Sequence, residues 1–279
     1  MTTYQGSLTN EDYHLLIEKK YIYSKNFNKN QIQPSSIDLT LSEECYEISA
    51  SFLSLSANIR EDLKDIMIDK IDLGKKYVFK KNRIYLVRLN EIINLPHDIF
   101  GFCNPKSSTG RLDIFCRTIL DRSNEYEKIP LNYKGEMFLE ITSRSFNIKF
   151  KKGDTLNQMR LVFNKNIYLN DNYLNKINYS KKLFYSKNKN IIENGLKLSV
   201  DLSNDNLICA YKSKLKSPLI NFSKIKSHNR SLYWEAVKPK NNSLIIEKDN
   251  FYILKSKEKI VIPPGLAGEM IPYDTGIGD

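Results

Sequence analysis

The chain has 279 residues, 41% hydrophobic and 27% charged, with a formal net charge of +11. That is ample apolar material for one large core or two smaller ones. No run of about 18 apolar residues occurs, so no membrane-spanning helix is expected. The start "MTTYQGSLTNEDYHLL" has neither the basic opening nor the apolar stretch of a secretory signal. The four cysteines form no CxxC pair and the three histidines lie far apart in sequence. This argues against a local zinc motif and a disulfide framework, and it fits a reducing cytoplasm.

A basic balance points to phosphate-bearing partners. Lys, Asn and Ile recur along the whole chain, however, as in "NFNKNQIQ" and "SKNKNIIENG". No basic stripe with interleaved aromatics stands out. The charge therefore reads as a compositional bias plus a phosphorylated small ligand, with no nucleic acid.

In chain order, Asn10 is expected to cap a short helix, "EDYHLLIEKK", with an apolar side at Leu15, Leu16 and Ile17. "QPSSIDLTLS" reads as a turn and a strand, with Ile37, Leu39 and Leu41 alternating with Asp38 and Thr40. "IREDLKDIMIDKI" is given helical spacing at Leu63, Ile66 and Ile71. From Tyr77 the pattern is one of short strands: "YVFKKNRIYLVRL", "IFGFC", "LDIFCRTIL", "GEMFLEITSRSFNIKF" and "NQMRLVF". Short strands with Gly and Pro turns predict an all-β barrel or sandwich. Residues 166–194 read as an Asn-, Lys- and Tyr-rich linker, with a short helix around "YLNDNYLNKI".

Beyond the linker the pattern recurs. Lys80 to Pro105 can be laid over Glu247 to Pro272 without a gap, placing Tyr85 on Tyr252, Glu91 on Glu258 and Pro96 on Pro263. A weaker echo sets Asp38 against Asp201. The expectation is a mainly β protein in two copies, with residues 1–165 catalytic and 195–279 a degenerate, truncated second copy. The counterpart of "KSSTGR" in copy two is "YDTGIG", which lacks the Lys, the Arg and both Ser. The fold therefore does not need that polar cluster.

Three elements of copy one carry chemistry. In "PKSSTGR", Lys106 and Arg111 are placed to flank a phosphate, Ser107 and Ser108 offer hydroxyls, and Gly110 admits close approach. The order GxxxxGK(S/T) of a P-loop is absent, and an exposed polar turn explains the segment equally well. In "EMFLEITS", Glu140 shares a strand face with Phe138 and Thr142. Burial there favours the neutral form of a carboxyl and suits proton transfer, whereas the alternative is a solvent face. In "KGDTLNQMRLVF", the amide of Gln158 is able to read a base edge or simply to face solvent.

Taken together, "QPSSIDLTL", "PKSSTGRLDIF", "YKGEMFLEI" and "GDTLNQMRL" resemble the dCTP deaminases of the dUTPase-like family, in the long two-copy form. The resemblance spans most of residues 30–163 and implies a β-clip or distorted β-barrel, with a few short helices, repeated in tandem. It implies zinc-independent conversion of dCTP to dUTP and ammonia, and the chain has neither the HxE nor the PCxxC of zinc deaminases. By that resemblance Glu140 is the catalytic base, Ser107 holds the attacking water, and Arg111 stands beside the reacting base. Lys106, usually Arg in the family, supplies charge to phosphate, and Ser108 and Gln158 contact the nucleotide. Asp121 is a less secure match to a sugar- or water-reading aspartate, because the loop before Glu140 is longer than in the short deaminases. No metal is held by protein ligands, and Mg2+ rides on the triphosphate. Active sites between subunits of a trimer, and dTTP as an inhibitor, are further implications. A dUTPase or bifunctional enzyme releasing dUMP and pyrophosphate, and a non-catalytic regulatory module, are the competing readings.

Overall fold

Thr9, rather than Asn10, caps the first helix, Asn10–Glu18, in a computed structural model that describes residues 5–54, 58–165, 168–185, 191–203 and 207–271. The Asp12 carboxylate accepts hydrogen bonds from the Thr9 N–H and hydroxyl, both at 2.8 Å, which satisfies the helix entry. The buried side of this helix is Tyr13 and Leu16, and Leu15 faces solvent. A second correction falls on "IREDLKDIMIDKI". Only Ile59–Asp62 is helical, and Met67–Asp72 is a strand paired antiparallel with Glu44–Ile48. Ile66 and Ile71 are five residues apart, off the three-and-four spacing of a helix face.

The main sheet has nine strands. Its central path runs Ile99–Pro105, Thr155–Phe163, Ile37–Ile48, Ile84–Leu89, Met137–Ser143 and Ile114–Leu120. The sheet curls until its two ends meet at one residue. The Glu127 carbonyl accepts from Cys103 N at 2.7 Å, and the Glu127 N–H donates to Thr118 O at 3.1 Å. One end strand is thus stitched to the other, giving a barrel-like, mainly β fold of the dUTPase type. Ile37, Leu39, Leu41, Val87, Leu139, Ile141 and Met159 fill its interior. Phe79 stacks on Tyr85 with centroids 4.0 Å apart and meets Phe150 edge-on at 4.9 Å. A smaller cluster, including Tyr46, Leu86, Ile119 and Phe138, lies on the outer face under Ile59 and Leu63. The four cysteines are free and buried.

The chain divides into two compact units. One comprises Met1–Asn166 and Ser213–Trp234; the other comprises Ile167–Lys212 and Glu235–Asp279. The second unit carries the helix Asp171–Lys181, whose cap Asn170 accepts from Tyr173 N at 2.9 Å. Ala210–Lys212 there pair antiparallel with Tyr252–Leu254.

The repeat is visible bond by bond. Glu91 accepts from Thr40 N (2.9 Å) and Thr40 Oγ1 (2.7 Å), and Glu258 accepts from Ser199 N (2.7 Å) and Ser199 Oγ (2.6 Å). Lys80 N donates to Tyr85 Oη at 3.0 Å, as Glu247 N does to Tyr252 Oη at 3.3 Å. Thr40 therefore corresponds to Ser199, and not to Ser203 as the Asp38–Asp201 echo requires. The proposed counterpart of the polar cluster, Tyr273–Gly278, lies outside the described residues.

Candidate active site

Pro105 closes the Ile99–Pro105 strand, and the chain then makes one helical turn, Ser107–Gly110. The turn is clamped onto the neighbouring strand. Lys106 N and the buried Thr109 hydroxyl both donate to Leu156 O, at 2.9 and 2.8 Å. With Thr109 turned in, Ser107, Ser108, Gly110 and Arg111 are exposed. A Cβ at Gly110 would meet nothing within 4 Å, so the chain's own packing does not require glycine there.

Three of the four sequence motifs converge at this turn. The Lys106 ammonium pairs with the Asp38 carboxylate and also reaches Thr155 Oγ1 at 3.3 Å. Gln158 stands directly across from Asp38 in the antiparallel register, and its Oε1 accepts from Ser36 Oγ at 3.3 Å. Asp38 is buried, and its Oδ1 has no hydrogen-bond partner among the described residues. A buried acceptor left unpaired is rare enough to mark a place where a ligand or water belongs. Asp38 was read in the sequence as the polar half of an alternating strand, because a single strand does not reveal which lysine comes to meet it.

Glu140 has only 2% of its surface exposed. It lies on the Phe138 face of its strand, while Leu139 and Ile141 enter the barrel interior. The carboxylate does not face solvent but meets a cation. Arg117, its partner on the adjacent strand, donates to Glu140 Oε1 from Nη2 at 2.6 Å and from Nε at 3.1 Å. The same guanidinium donates to Ser51 Oγ at 2.8 Å and lies over the ring of Tyr126 at 4.1 Å. Both its charge and its plane are thus fixed. Glu140 Oε2 is buried and has no hydrogen-bond partner among the described residues. One oxygen is anchored and the other is left to act on something else.

Arg117 is the functional candidate that the sequence reading missed. Its signal was a lone cation alternating with Cys116 and Thr118 inside the apolar strand "IFCRTIL".

Within the chain, the predicted residues form two groups. Lys106, Ser108 and the loop Lys151–Thr155 line one cavity of about 780 Å3. Glu140 lies elsewhere, with Arg117. Among the described residues, neither Ser107 nor Arg111 hydrogen-bonds or ion-pairs with Glu140. Asp121 accepts the Ile59 N–H at 2.8 Å, at the start of the Ile59–Asp62 helix.

Residues 4–165 match the family described as 2'-deoxycytidine 5'-triphosphate deaminase N-terminal domain, and residues 170–279 match its C-terminal domain. The dCTP deaminase of Acidianus ambivalens is 26% identical over 148 residues, covering 52% of this chain and 78% of its own. That of Metallosphaera sedula is 24% identical over 161 residues, covering 57% and 85%. A probable deoxyuridine 5'-triphosphate nucleotidohydrolase of Sulfolobus islandicus rod-shaped virus 1 is 22% identical over 157 residues, covering 56% and 82%. The crystal structure of 2'-deoxycytidine 5'-triphosphate deaminase from Agrobacterium tumefaciens superposes with a TM-score of 0.87 at 31% identity. That likeness covers 93% of this chain and 79% of the other.

Proposed function

This chain belongs to the 2'-deoxycytidine 5'-triphosphate deaminase family, and from that premise we propose how its own side chains convert dCTP and water to dUTP and ammonia. The reading rests on Glu140, a buried carboxylate with one oxygen held by Arg117 and the other without a hydrogen-bond partner among the described residues. Oε2 takes a proton from the water that attacks C4 of the cytosine. It passes that proton to ring N3 as the C–O bond forms, then carries the second proton from the new C4 hydroxyl to the amine, so that the C–N bond breaks as C4=O forms and ammonia leaves. Arg117 keeps the carboxylate in one orientation throughout. Ser107 holds the water, and Arg111 steadies charge at the base. Lys106, Ser108, Gln158 and Asp121 contact the nucleotide, whose triphosphate brings Mg2+ as part of the substrate.

Ser107 and Arg111 do not reach Glu140 within one chain, and this favours a site completed by a second copy. The working enzyme is accordingly a homo-oligomer with a trimer-like arrangement of domains. It is cytoplasmic, as the unpaired cysteines suggest, and open to inhibition by dTTP.

Incubation with dCTP and Mg2+ should release ammonia and dUTP in equal amounts. Glu140→Gln should lower turnover by about 10²–10⁴-fold while dCTP binding persists. Normal turnover by that variant removes Glu140 as the base. The similarity to a probable deoxyuridine triphosphate nucleotidohydrolase favours one second reading, in which dUTP is carried on to dUMP and pyrophosphate. The same assay decides it, because dUMP and pyrophosphate replace dUTP among the products.

A further inference from the structure

A segment from the second half of the sequence, Ser213–Trp234, packs within the first unit. Ile220–Asn221 form a short strand parallel to Ile148–Phe150, with Ile220 N donating to Asn147 O and Phe222 N to Lys149 O, each at 3.1 Å. The Phe222 ring lies 5.1 Å from that of Phe150, and the Trp234 ring 5.4 Å from that of Phe146. Ser223 Oγ donates to Asp154 Oδ1 at 3.0 Å, tying the segment to the turn before the Thr155–Phe163 strand. Asn221 N donates to His228 Nε2 at 3.1 Å, which closes the loop between them. The loop that carries Lys224 is therefore held at both ends.

This segment lines the same cavity of about 780 Å3 as Lys106 and Ser108. The lining carries Lys106, Lys151, Lys152, Lys224 and Arg230, with Asp154 the carboxylate among them. Asp154 is buried and already bonded to Ser223 Oγ and the Lys151 N–H. Lys106 pairs with Asp38 and Lys152 with Glu43. Lys151 acts on the Asp154 carboxylate, and among the described residues Lys224 and Arg230 form no ion pair with a carboxylate. Leu112, Ile220, Phe222 and Trp234 add apolar surface to the lining. Unneutralised cations in a concave, partly apolar site focus potential on an anion. A guanidinium and an ammonium lining one cavity suit a chain of phosphates, one as a fork and the other as a point charge.

We propose that Lys224 and Arg230 bind the polyphosphate of the substrate nucleotide. The phosphate subsite of the first unit would then be completed by residues from the second half of the chain. This rests on the deaminase reading above, but its test does not depend on turnover. The full-length Lys224→Gln/Arg230→Gln variant should bind inorganic tripolyphosphate about 10- to 100-fold more weakly by calorimetry, the weight of lost charge-assisted contacts. Its KM for dCTP should rise by a similar factor, with kcat changed less than about threefold. Arg230→Lys, which keeps the charge and loses the fork, should fall between. Lys226→Gln, on the same loop but outside the cavity lining, should leave both readouts unchanged.

Both target side chains are exposed, so the variants should melt like the unaltered protein. Tripolyphosphate affinity and KM within twofold of the unaltered protein would overturn the proposal. So would an effect confined to inhibition by dTTP, which would make the cavity an effector site. If the unaltered protein releases no ammonia from dCTP, the deaminase reading fails, while calorimetry still decides the fate of this subsite.

Discussion

At Glu140, two nitrogens of one guanidinium hold a single carboxylate oxygen, and the opposite oxygen is buried with no hydrogen-bond partner among the described residues. The pair is a structural commitment as well as a chemical one, because a buried carboxylate without its cation is costly. Arg117→Gln should lower unfolding stability by about 2–4 kcal/mol, measured by denaturant titration. Combining it with Glu140→Gln should recover part of that loss, because the second change removes the stranded charge. Strictly additive losses would mean that the two side chains do not support one another. The position and polarity of Glu140 were legible in "FLEIT" as a charge in an apolar alternation. Arg117 was not, because its meaning depends on which strand becomes its neighbour. Pairing register is a tertiary outcome that local sequence does not carry.

At the level of strands and turns, Glu127 joins the two ends of the barrel through its backbone, and its side chain accepts from Thr118 N at 3.1 Å. Burial is the main reason its carboxyl is pushed up to about 8. The fold therefore binds this proton more tightly than the unfolded chain does. Stability from this group is fully present below the ordinary carboxyl range and is lost as pH rises towards 8. Glu127→Gln keeps an acceptor for Thr118 and removes the titration. It should flatten the fall in melting temperature between about pH 5 and 8, as followed by thermal melts across that range.

The duplicated element permits a paired test. Glu91→Ala removes a fully buried carboxylate that also accepts from Gln31, and should cost about 3 kcal/mol. The corresponding Glu258→Ala, in a more exposed setting, should cost about 1 kcal/mol or less. The ungapped alignment placed these two glutamates correctly, since matched Tyr, Glu and Pro positions carry the same hydrogen bonds. The echo around Asp201 misplaced its strand by four residues. A short Leu–Ser–Asp pattern fits several registers, and only the bonds to Glu258 choose among them.

Across the whole molecule, the second unit leaves Leu207, Ile245, Ile246, Ile260 and Ile262 exposed. Apolar exposure of this kind, together with a Glu140 motif that stands apart from the other three within one chain, leads us to expect association. Light scattering should give about three times the chain mass of 32.5 kDa, and a monomer at working concentration would remove the shared-site proposal. Short strands with Gly and Pro turns were enough to announce a mainly β barrel. The return of Ser213–Trp234 to the first unit had no local signal, because its packing partners Phe146 and Phe150 lie far back in the chain.

That return sets a timetable for synthesis. Ile148 and Phe150 sit on a strand whose parallel neighbour, Ile220–Asn221, leaves the ribosome about 70 residues later. Until then the emerging first unit has an open sheet edge and uncovered aromatic rings, a state prone to mispairing with other nascent chains. Contacts of such long sequence separation slow the final step of folding. A chain cut after residue 165 should therefore be a poor substitute for the first unit, even though it contains every residue proposed for the deamination chemistry.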